Sequence, residues 1–210
     1  DVLSGERLER GAEELPVVLE LGGAGDEHER ARCAGLVALV RGWLPDPGAD
    51  EPDPEARARG VVLHRIFETL AGGGTAPGPA AVAAALAGEG IAASRSTAIA
   101  PQILNEARLA WDHPPFQALR EGAQVLAEWP VEDFDGMGRV RVGRVDLLLR
   151  TPEGPVIVDF KTGRPTGDRS EWVQAQLGMH GAQLRAYAEM AQRAGLKGEV
   201  RAALFFTALP

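Results

Sequence analysis

The sequence predicts an α/β (α+β) domain with a mixed central β-sheet flanked by helices and preceded by a helical N-terminal region. Two observations carry this expectation. Apolar residues at helical spacing and Ala-rich stretches occupy residues 26–111, and β-branched apolar runs take over from residue 123. A helical stretch over 180–194 then separates three strand-like runs from a fourth. Helices, three strands, a helix and a strand suit a mixed sheet, not a bundle or a sandwich.

The elements follow in order. Residues up to about Leu15 are polar and charged and read as a tail or tether. Ala34, Leu36, Val37, Val40 and Leu44 predict a helix over 26–43, and PDPGADEPDPE (45–55) is a Pro-rich acidic linker. The expected division is therefore 1–55 for tether, helix and linker, and 56–210 for the main domain. Helices are expected at 56–70, 79–87 and 97–111, with a Gly-rich break after the first, and the HPP at 113–115 is expected to close the helical half. Strands are expected at 123–131, 139–149, 155–160 and 201–209.

Charge and cysteine content narrow the function. The formal charge is −8, but residues 1–60 hold fourteen acids against seven bases, whereas residues 139–201 hold seven acids against eleven bases. The acidic balance therefore does not exclude a nucleic-acid partner for the second half. The single cysteine, Cys33, excludes a disulfide framework, a four-cysteine zinc site and an Fe–S cluster held within this chain. No apolar run reaches membrane-spanning length and no export signal opens the chain. A first residue of Asp1, not Met, suggests a piece of something longer.

Residues 139–161 are the most informative. TPEG (151–154) has Pro and Gly where a tight turn prefers them. With the hairpin centred between Pro152 and Glu153, Asp146 and Asp159 fall opposite each other, both among apolar strand residues. Two facing carboxylates destabilise a sheet unless a shared proton, a base or a cation compensates. Lys161 shares the Asp159 face by the period of two. A buried Asp–Lys ion pair, an acid/base dyad and a hard divalent ion all remain open from the residues alone.

GRVDLLL, VDFKTG and their separation resemble the PD-(D/E)xK nuclease superfamily, with Asp146 in the first acidic place and Asp159-Phe160-Lys161 in the second. GVVLHRIFE (60–68) resembles the G-x-x-x-H helix of its RecB-like branch, giving His64, and QLRAY (183–187) resembles that branch's Q-x-x-x-Y helix, giving Gln183 and Tyr187. The ending AALFFTALP is similar to that of AddA-type helicase–nuclease subunits. Val145 stands where the superfamily's name has Pro. No Walker A loop is present, so a motor would lie upstream or on another chain.

The resemblance implies a restriction-endonuclease-like core and a metal-dependent nuclease acting on single-stranded DNA. It implies an upstream helicase domain, an AddB-like partner subunit and a bacterial cytoplasmic setting. His64, Asp146 and Asp159, with the carbonyl of Phe160, would hold Mg²⁺ or Mn²⁺, with no Fe–S cluster. Lys161 would hold or help deprotonate the attacking water, Gln183 would orient Lys161 or its water, and Tyr187 would contact the substrate backbone. Rival readings are a stand-alone RecB-like exonuclease and a non-catalytic DNA-holding module. Glu68 is either a partner fixing the His64 tautomer or a surface acid. His28 reads as solvated, His113 as the start of a break and His180 as a helix cap. Cys33, Trp43, Trp111, Trp129 and Trp172 read as packing. Arg139, Arg141, Arg144, Arg164 and Arg169 flank the motif strands, either as phosphate contacts or as exposed solubilising arginines.

Overall fold

A computed structural model describes residues 53–134, 138, 140–165 and 167–208, together with the backbone of 18–21. The helix expected over 26–43, with His28, Cys33 and Trp43, lies outside the described residues, as does Arg139.

Among the described residues, the first strand, β1 (Val18–Leu21), precedes four helices: α1 (Pro54–Ala71), α2 (Pro79–Gly88), α3 (Ala93–Trp111) and α4 (Pro114–Arg120). Strands β2 (Gln124–Phe134), β3 (Val140–Thr151) and β4 (Gly154–Lys161), helix α5 (Arg169–Arg193) and strand β5 (Arg201–Phe206) follow. The sheet runs β1-β5-β4-β3-β2, with β4 and β5 parallel and every other neighbour antiparallel. It is the mixed α/β architecture that the sequence predicts.

Helices α1, α3 and α4 cover one face, where Leu63, Ile66, Phe67, Ile103 and Phe116 bury against Leu147, Leu149, Val158 and Phe160. Helix α5 covers the other, packing Val173, Leu184 and Met190 against Val145, Leu148, Ile157 and Leu204. Strand β4 is buried almost throughout because both its faces carry apolar residues, the pattern of a central strand.

Two expectations are corrected. The HPP segment starts a helix: Pro114 sits in the first turn of α4, where its missing N–H costs nothing. Helix α5 begins eleven residues before the expected 180, capped by Asp168, whose Oδ1 accepts from the N–H of Glu171 at 3.0 Å. His180 is accordingly inside a helix and not at its cap.

Candidate active site

The site forms in the fork where β3 and β4 part. Their ladder runs from Thr151↔Gly154 to Leu147↔Val158, the register that a turn centred between Pro152 and Glu153 dictates, and ends one pair short of the two aspartates. Asp146 therefore does not face Asp159 across a rung. Its carboxylate enters the gap, where Oδ2 accepts from the N–H of Phe160 at 2.7 Å and Oδ1 lies 3.3 Å from His64 Nδ1.

A face switch in the β2–β3 ribbon makes this possible. Ala123, Val125 and Ala127 pack on the α1 side and Leu126 on the α5 side, yet Trp129 and Val131 lie with Leu126. On β3 the same happens between Val145, on the α5 side, and Leu147, on the α1 side. The pairing keeps its offset, Ala127↔Leu147 then Trp129↔Val145, but skips the position between them, so both strands switch at Glu128 and Asp146. Glu128 has φ +47°, the left-handed region that non-glycine residues rarely adopt. The switch turns Asp146 away from α5 and towards His64.

His64 is held by α1. Burial pulls its pKa down, but the hydrogen bond and charge of Asp146, with the charge of Asp159, outweigh this and leave it raised above the ordinary 6.5. Gly60, one turn earlier, lets α1 approach the segment after β4: a Cβ there would stand 3.0 Å from Thr162 Oγ1. Asp159 is 8% exposed, and Lys161 Nζ lies 2.7 Å from its Oδ2. Burial raises the Asp159 pKa, Lys161 opposes that shift, and the Asp146 charge adds to it.

Helix α5 closes the other side. Gln183 Nε2 donates to Tyr187 Oη at 3.0 Å, so the described contact of Gln183 is with Tyr187 and not with Lys161. Burial raises the Tyr187 pKa, and the charges of Asp159 and Asp146 add to the effect. His180, one turn before Gln183, has its pKa lowered to about 4 by burial and by the charge of Lys161.

The structure thus gathers His64, Asp146, Phe160, Asp159, Lys161 and Tyr187 around one fork, with Gln183 attached through Tyr187. It is the N–H of Phe160 that engages Asp146, while its ring stacks on Phe67 at 4.3 Å between centroids. Glu68 lines the adjoining groove, but His64 Nδ1 faces Asp146. Among the described residues, the group with ligand atoms all within 4.8 Å of one another is His64, Glu128 and Asp146. Glu128 is not among the residues that the motifs single out; its signal is its place, opposite Asp146 once the β2–β3 register is drawn. Of the arginines, Arg141 pairs with Asp133, Arg144 lies 3.4 Å from Glu128, and Arg164 lies 3.9 Å from Glu106.

The donor set is carboxylate oxygens and an imidazole nitrogen, which fits a hard or borderline divalent cation. The family model for the PD-(D/E)XK nuclease superfamily matches residues 36–209. No curated protein matches the chain.

Proposed function

The chain belongs to the PD-(D/E)XK nuclease superfamily, and on that footing we propose that it is a Mg²⁺- or Mn²⁺-dependent deoxyribonuclease domain that hydrolyses single-stranded DNA. Membership of the family supports a metal-dependent nuclease. The DNA substrate is supported by the RecB-like pattern of His64 ahead of the acidic strands and Gln183 with Tyr187 behind them. In this reading the domain is the exonuclease part of an AddA-type helicase–nuclease in bacterial double-strand break repair, fed by an upstream motor and paired with an AddB-like subunit. No helix among the described residues is long and apolar enough to cross a membrane.

The observation that carries the proposal is the fork itself, where Asp146, Asp159 and Lys161 meet beside His64. His64, Asp146 and Asp159 would hold the divalent ion, which when bound supplies Lewis acidity and offsets charge on the scissile phosphate. The chain's own groups do the rest. The N–H of Phe160 fixes the Asp146 carboxylate in the gap. Lys161 presents an ammonium at the fork, where it positions the attacking water and stabilises the charge building on the phosphorane. Tyr187, steadied by Gln183, contacts the DNA backbone on the α5 side.

Digestion of end-labelled single-stranded DNA with Mg²⁺ or Mn²⁺ tests this. Asp159→Ala and Lys161→Ala should each lower the rate by about 100-fold or more, the scale of removing one transition-state donor. Equal rates for wild type and both variants would remove the assignment.

A further inference from the structure

We propose that Glu128 is itself a ligand of the divalent ion, completing with His64 and Asp146 a three-residue cradle on the α1 side of the fork. The inference rests on the nuclease reading and adds to it a residue that the motif pattern does not contain.

Three observations converge. Glu128, His64 and Asp146 come from β2, α1 and β3, and one ligand atom of each lies within 4.8 Å of the others. That spread suits ligands sharing one ion at about 2.1–2.3 Å each. Second, Glu128 takes a left-handed backbone inside a strand, at φ +47°. A turn needing only that geometry would favour glycine; a glutamate held there costs stability and needs the side chain to justify it. Third, the partner Glu128 has is weak: Arg144 Nη1 stands 3.4 Å away on a side chain 67% exposed. Lys161 Nζ lies 2.7 Å from Asp159 Oδ2, whereas no cation that close is described beside Glu128, so Glu128 adds a carboxylate to the ligand set of His64, Asp146 and Asp159.

The same kink serves two ends. It swings Asp146 towards His64 and lifts Glu128 to meet both, so one backbone irregularity assembles the cradle from two strands.

The test is Mn²⁺ binding to the purified chain without DNA, read by the electron paramagnetic resonance signal of free Mn²⁺, with thermal melts in EDTA. Asp146→Asn serves as the control that loses binding. Glu128→Gln should weaken Mn²⁺ affinity by about tenfold or more while leaving the EDTA melting temperature unchanged. Glu128→Gly should lose affinity equally yet melt no lower, because glycine adopts the left-handed conformation without penalty. Wild-type affinity in Glu128→Gln, with binding lost in Asp146→Asn, overturns the inference alone. A wild type that binds no Mn²⁺ overturns it together with the nuclease reading.

Discussion

Phe160 links core and chemistry within one residue. Its ring lies 2% exposed against Phe67, its N–H holds Asp146, and its neighbours in sequence are Asp159 and Lys161. Packing of the ring thus fixes the backbone that fixes the carboxylate. His113 is a residue-scale liability of a different kind. It is 4% exposed, lies edge-on to Phe205, and neither ring nitrogen has a partner. Burial lowers its pKa below the ordinary 6.5. The unfolded chain therefore binds a proton where the folded one does not, so stability is complete above about pH 6.5 and falls as the pH drops towards the folded value. His180 acts in the same direction and His64, with its raised pKa, in the opposite one. Urea midpoints measured from pH 8 to pH 5 should fall less steeply for His113→Phe than for wild type. Parallel curves would show that folding leaves the proton affinity of His113 unchanged.

At the scale of elements, β2 to β5 and the start of α2 are legible in the sequence, whereas β1 and the starts of α4 and α5 are not. The β3–β4 register follows from two turn residues, Pro152 and Glu153, and holds through five pairs. Periodicity alone makes helix α5 too short because Val173, Ala175, Leu177 and Met179 alternate with a period of two, not the helical 3.6, though Asp168 three before Glu171 is a readable start signal. The HPP suggests a stop because proline breaks a helix it follows, while it equally opens the next. The face switch at Glu128 and Asp146 has no sequence signal at all, since no glycine marks it. The Tyr187 ring of helix α5 lies on β3 at Gly143, where a Cβ would fall 2.4 Å from Tyr187 Cε1. Gly143→Ala must push Tyr187 off the strand and with it the Gln183 hydrogen bond. The expected cost is about 1–3 kcal/mol, the range for overpacking, and combining Gly143→Ala with Tyr187→Ala should recover part of it. Additive losses in the double variant would mean that the ring does not sit on Gly143.

Across the whole molecule, four of the five described helices precede β2 and most strands follow them, so something must tie the two at the site. Glu106 of α3 does this. Its Oε2 accepts from Arg59 of α1 at 2.6 Å, and its Oε1 accepts from Thr207, just past β5, at 2.9 Å. The N–H of Thr207 in turn donates to the carbonyl of Lys161 at 3.0 Å. One carboxylate thereby joins two helices to the strand end that carries the lysine. The Arg59 and Glu106 side chains are only 14% and 11% exposed, so removing one leaves the other largely desolvated and unpaired. Glu106→Ala should destabilise the chain by about 3 kcal/mol, in the range for breaking a mostly buried pair. Adding Arg59→Ala to it should cost little more, because the arginine's partner is already gone. Urea unfolding of the two single variants and the double measures both quantities. The tie also predicts loss of cleavage in Glu106→Ala at temperatures where the variant remains folded, since the Lys161 end of β4 loses its brace. A Glu106→Ala chain within about 0.5 kcal/mol of wild type, the scatter of ordinary surface substitutions, would locate the union of the two halves in apolar packing alone.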